Sequence, residues 1–200
     1  MTFTDPTTSP RWQQMVGRVR LTLGRLGSSP SDVEQVLSGL HAAGVHRGPH
    51  FDDEEAPAWL HPGRTLLILR VDAEITEPEV LHWGAQVDQA FAPWTRPEAE
   101  AFLGGVEFPT LHGGLFASHP AHVWEAWQTE AALLDPPWGR VLLADALDHL
   151  RHLHLHPDPE LRRQGAAVAR DYLAPLAERA GGTLHRRIQW WVRRVAPGLR

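Results

Sequence analysis

Apolar residues recur every three or four positions through most of this chain, and glycines, prolines and small polar residues punctuate the recurrences where helices open and close. Trp12, Val16, Val19, Leu23 and Leu26 succeed one another at 4, 3, 4, 3 spacing behind Ser9 and Pro10, and Gly27 ends the run. A serine N-cap followed by a first-turn proline predicts a helix over residues 10–26. A second helix is predicted over 29–43, with Val33, Leu37 and Leu40 as its apolar face, Ser31 and Glu34 as a capping box and Gly44 as its stop. Residues 45–63 read as loop, with an acidic run at 52–55. Residues 65–71, TLLILRV, then break the period. A continuous apolar run rich in branched residues predicts a buried strand, with Trp59 and Leu60 pairing against it across His61, Pro62 and Gly63.

From residue 76 onward the helical period returns. Thr76 with Glu79 and Thr95 with Glu98 are further capping-box pairs, opening helices to about 91 and 103. Gly104, Gly105, Pro109, Gly113 and Gly114 mark a turn-rich stretch and a candidate hinge. Ser118 caps a predicted helix to 134, Asp135 with Pro136 opens one to about 153, and Asp158 with Pro159 opens one to Gly181 with a kink at Pro175. Thr183 begins the last helix, closed by Pro197 and Gly198. Short connections favour antiparallel neighbours. The expected fold is therefore mainly α, a helical bundle or stacked helical hairpins with a small β element near residues 59–71. An N-terminal α/β part over 1–75 would precede a helical domain over 76–200.

Composition changes this picture little. With 200 residues, 42% of them hydrophobic, the chain can build one core or two small ones. The absence of cysteine excludes disulfides and cysteine-ligated metal centres. No apolar run approaches the length of a membrane span and no secretory h-region is visible, so a cytoplasmic location without an integral membrane segment is expected. No cofactor-binding pattern is present either: the glycine pairs are not spaced as a dinucleotide or phosphate loop. Lysine and asparagine are missing altogether, as codon choice in a GC-rich genome would produce, and the 13 histidines partly share that origin.

Charge changes it more. The net charge of −5 divides into +3 over residues 1–26, −15 over 27–160 and +7 over 161–200, where nine arginines face two acids. On a helical wheel Leu184, Ile188, Trp191 and Val195 fall within about 60° of one another, while Arg186, Arg187, Trp190, Arg193 and Arg194 occupy the opposing arc. Burying the apolar stripe contributes roughly 6 to 12 kcal/mol before entropy, enough to dock the helix and turn the arginines outward. An aromatic ring among guanidiniums suits a phosphate chain whose bases stack. The expectation is a non-enzymatic binding protein whose basic C-terminal helix engages an anionic partner, nucleic acid first among them. An anionic membrane surface is a further option. The alternative is a helical interaction or assembly module, in which the same arginines meet acidic surface on a protein partner or a second copy.

The segment at 21–45, LTLGRLGSSPSDVEQVLSGLHAAGV, followed by GRTLLILRV at 63–71, resembles winged helix-turn-helix DNA-binding domains. Gly27 would sit in the turn, Ser29, Pro30 and Ser31 would start the recognition helix, and 63–71 would be the returning strand of the wing. The resemblance implies Ser31, Gln35, Ser38 and Arg64 facing DNA. Asp32 and Glu34 on that helix, and the acids at 52–55, set negative charge toward phosphate.

Metal chemistry has one candidate. Asp145, His149, His152 and His156 lie at i, i+4, i+7 and i+11, on the helix face opposite Leu143, Ala146, Leu147 and Leu150. Asp145, His149 and His152 would give a metal-dependent hydrolase its ligands. The competing reading is a solvated polar face. Ser118 beside His119 and His122 reads as a helix cap rather than a nucleophile with its base. Trp124, Trp127 and Trp138 read as core.

Overall fold

The structure, a computed structural model, describes residues 6–47, 58–86 and 120–199, and every regular element among them is helical. The chain falls into two compact units, Met1–Gln89 and Ala90–Arg200.

The first unit contains α1 (Pro10–Arg25), α2 (Pro30–Arg47), α3 (His61–Val71) and α4 (Pro78–Gly84). Ser9 caps α1 as expected: its Oγ accepts the Trp12 N–H at 3.1 Å, and Trp12, Val16, Val19 and Leu23 are buried. At the other end Ser28 N–H returns to the Leu23 carbonyl and Gly27 N–H to Gly24, with Gly27 at φ 88°. That pair of bonds closes a left-handed helix cap, a conformation glycine adopts without steric cost. The cap of α2 is two residues earlier than expected. Ser29 Oγ accepts from Asp32 N–H, and Asp32 Oδ2 accepts from Ser29 N–H, both at 3.2 Å, which is a capping box. Glu34 is instead ion-paired with Arg20 of α1. Nor does Gly44 stop α2. A side chain there would overlap the Trp12 ring, so this glycine is where the two helices approach most tightly.

The small β element expected near residues 59–71 is not formed; the chain there makes a 3-10 turn, Ala58–Leu60, and then α3. The physical reason is burial over more than half of the helix circumference, with Arg64, Leu67, Arg70 and Val71 on the remaining arc. His61, Pro62, Gly63, Thr65, Leu66, Ile68 and Leu69 are all buried, and α3 touches α1, α2 and α4. Two of the four residues on that arc are apolar, so the helix lacks a clean polar face and its sequence reads like that of a buried strand. Pro62 in the first turn breaks the tie, because a helix start accepts proline where a strand interior does not. Residues 63–71, which the winged-helix resemblance would make a wing strand, lie within this helix. The Thr76–Glu79 capping box is likewise absent. Glu77 is the N-cap residue of α4, and its Oε2 accepts the Thr76 N–H at 3.0 Å. This helix, expected to open the second part of the chain, packs on α2 and α3.

The second unit contains α5 (Ala121–Ala131), α6 (Pro136–His152), α7 (Pro159–Val168), α8 (Ala174–Ala180) and α9 (Gly182–Arg194). All residues of 141–148 are buried, and α6 packs against α8 and α9. The Asp158 cap is as expected, its Oδ1 accepting from Glu160 N–H at 2.8 Å. Between α7 and α8 the rod widens into a π-helical turn, Ala169–Leu173, in which Ala174 N–H reaches back to Ala169 O. The wider turn falls just ahead of Pro175, whose ring removes a donor and would crowd a regular α turn. Gln128 Nε2 donates to the Tyr172 carbonyl at 3.2 Å, and the Tyr172 ring stacks on Trp124 at 5.4 Å. Trp124 and Trp127 are core as expected, and Trp138 is half-buried.

The expected helix opened by Thr95 and Glu98, the glycine-rich hinge at 104–114, the Ser118 cap and His119 lie outside the described residues. Among the described residues no helix is long and apolar enough to cross a membrane.

Candidate functional site

Among the described residues the last helix is the most two-sided element. Leu184, Ile188 and Trp191 are buried, with Ile188 at 0% exposure, and α9 packs on α6 and α8. Val195 is the C-cap and only half-buried, so the docking stripe rests on three side chains rather than four. At about 1.5–3 kcal/mol for each buried side chain, the stripe still contributes roughly 5–9 kcal/mol before entropy. On the opposing arc Arg186, Arg187, Arg193 and Arg194 are exposed, and Trp190 is 60% exposed beside Trp191 at 3%. Adjacent tryptophans divided in this way are what a 100° step per residue does when one side of a helix is docked.

The electrostatics of this arc differ from those of its surroundings. Arg163 is paired with Glu160, and Arg170 Nε donates to Asp171 Oδ1 at 2.7 Å. The hydrogen bond from Arg163, and after it the guanidinium charge, hold the Glu160 carboxyl below its ordinary value. The hydrogen bond to Asp171 holds the Arg170 guanidinium above its own. On α9, by contrast, Arg186 Nη2 donates to the Thr183 hydroxyl at 2.7 Å, a neutral partner. Among the described residues no carboxylate pairs with Arg193 or Arg194. Both sit in the last turn, where the carbonyl end of the helix favours cations. The arrangement offers guanidinium forks for phosphate or carboxylate oxygens and an indole face for a planar ring.

The histidine-bearing face of α6 is not a solvated one. Asp145 is 8% exposed, and Asp148, which stands outside the i, i+4, i+7 series, is at 1% the most deeply buried of the described carboxylates. His149 Nε2 lies 3.7 Å from Asp145 Oδ2, so those two candidates are brought together. His152 is not brought to them: its Nδ1 is 2.7 Å from the carbonyl of Asp148, one turn back. His156 lies beyond the helix, past the 3-10 turn Leu153–Leu155, and its Nδ1 accepts the Asp158 N–H at 3.2 Å. Asp145 and His149 are both of the residue types that ligate divalent ions. Spacing gave no signal for Asp148, which at 100° per residue falls on the polar arc next to His152.

On α2, Ser31, Gln35 and Ser38 are exposed, whereas Arg64 is half-buried on α3. Ser38 Oγ donates to Gln35 O at 2.7 Å, and His82 of α4 places its Nδ1 2.9 Å from the same carbonyl. These contacts tie α4 to α2. Compared with protein-family models, characterised proteins and solved structures, the chain matches none, so its function has to be read from the basic helix itself.

Proposed function

We propose that this protein binds nucleic acid, without catalysing a reaction on it, along the outward arc of α9. The observation that carries the reading is Trp190, 60% exposed in the middle of four exposed arginines on a helix whose other side is buried. Arg186, Arg187, Arg193 and Arg194 contact phosphates and displace condensed counterions, and the Trp190 indole stacks on a base. Base–aromatic stacking contributes about 1–3 kcal/mol and tolerates any base, so binding is weakly sequence-specific. It is also strongly salt-dependent, because four neutralised phosphates give a slope of log K against log salt of about −3 to −4.

Fluorescence anisotropy of labelled single- and double-stranded oligonucleotides, titrated at several salt concentrations, tests this directly. The expected result is binding with that slope and a preference for single strands, whose bases are free to stack. Absence of binding at low salt overturns the reading. A protein partner, or self-association detected by sedimentation at rising concentration, then becomes the function of the basic arc.

A further inference from the structure

A pocket of about 380 Å³ opens within the second unit, between the end of α5, the first turns of α6 and the end of α8. Its volume falls in the range of about 300–1,000 Å³ that small-molecule sites occupy. Leu142, Leu143 and Leu176, none more than 6% exposed, form its apolar wall, and among the described residues Arg140 and Arg179 bring the formal charges to its lining. The start of α6 adds no free donor. Pro136 and Pro137 lack an N–H, and the N–H groups of Trp138 and Gly139 both bond to Asp135 O, at 2.9 and 3.0 Å. The positive residues of this lining are therefore Arg140 and Arg179, beside an apolar wall. Among the described residues, no ion pair or hydrogen bond involves the Arg179 side chain. Gly139 borders open space, since a Cβ added there would meet nothing within 4 Å.

We propose that this pocket takes a small carboxylate with a hydrocarbon tail, its head group held by Arg140 and Arg179 and its tail lying on Leu142, Leu143 and Leu176. The guanidinium fork matches a planar carboxylate in two parallel hydrogen bonds. A monoanion suits the site better than a phosphate dianion, because the apolar wall would strip water from the second charge without compensating it. This site is separate from the α9 arc and does not depend on nucleic-acid binding.

Calorimetric titration of the full chain with octanoate, octanol and octylammonium tests the assignment. Saturable binding of octanoate is expected, with octanol at least about tenfold weaker and octylammonium silent, the discrimination a charge-assisted pair supplies. Arg179→Ala, at an exposed position, is expected to weaken octanoate about tenfold. Gly139→Leu places a side chain in the open volume and is expected to abolish binding while leaving circular dichroism, melting temperature and oligonucleotide binding unchanged. Octanol binding as tightly as octanoate, full octanoate binding by a folded Gly139→Leu variant, or no saturable heat at millimolar octanoate would each overturn the proposal. Should Gly139→Leu fail to fold, an undiminished affinity in Arg179→Ala overturns it by itself.

Discussion

Helices α3 and α9 are of similar length, 11 and 13 residues, and each mixes branched apolar residues with arginine, yet one disappears into the protein and the other offers a surface. Around α3 the buried positions cover more than half the circle, leaving an arc of Arg64, Leu67, Arg70 and Val71, and the helix is held by three neighbours. Around α9 they form one stripe, and everything opposite it faces outward. What separates the two is the distribution of residues about the helix axis more than the content of the sequence. An enclosed helix contributes stability alone, while a docked one contributes less burial and leaves half its circumference for a partner.

Substitution should make that difference measurable. The largest effect is expected inside: Trp191→Ala should cost about 3–5 kcal/mol and Leu69→Ala about 2–5 kcal/mol, read from urea unfolding. Trp190→Ala, one residue from Trp191, should stay within about 0.5 kcal/mol of the unaltered protein. Equal losses at the two tryptophans would erase the contrast and return Trp190 to the core. Next in size is an effect on binding. Trp190→Ala should weaken oligonucleotide affinity by about 1–3 kcal/mol, and Arg193→Gln with Arg194→Gln should reduce the salt slope by about 1.4 to 1.8. The same arginine pair changed without loss of slope would mean that phosphate lies elsewhere.

Two smaller effects set the scale for interactions that involve no packing. Ser9→Ala removes the acceptor for the Trp12 N–H and should cost about 1 kcal/mol in thermal or urea unfolding. The smallest effect is at Glu160. Its carboxyl is held below the ordinary value of 4.5, so it stabilises the fold at higher pH, and that contribution is lost as pH falls through the lowered value. Glu160→Gln should flatten the acid limb of the stability profile slightly and leave neutral pH nearly unchanged, in keeping with a fully exposed pair. A large change in the neutral range would show that the pair does more than tether one turn.

The same contrast explains what the sequence disclosed. One-sided helices were legible. Trp12, Val16, Val19 and Leu23 are buried at the spacing that announced them, and the two arcs of α9 are the two arcs of its wheel, apart from the half-buried Val195. Where an open arc carries apolar residues, as with Leu67 and Val71 on α3, or a polar arc is buried, periodicity misleads. That is why α3 reads as a strand, and why the polar face assigned to α6 turned out to hold buried Asp145 and Asp148. Capping signals placed helix starts to within a residue or two but not always the capping side chain, since Ser29 and Asp32 compete with Ser31 and Glu34 over the same turn. Gly44 shows the reverse error. A glycine that looked like a stop is a point of contact, and only the position of Trp12 reveals it.

The π-helical turn at Ala169–Leu173 sets the angular phase of α8. A turn closed by an i to i+5 bond holds one residue more than the α turn it replaces, so α8 is rotated relative to α7 by the angle one residue subtends, about 100°. The direction in which Arg179 points therefore depends on chain length within five residues as much as on side-chain identity. Deleting one residue there would remove no side chain of the pocket lining, yet it would swing Leu176 and Arg179 together about a quarter turn away.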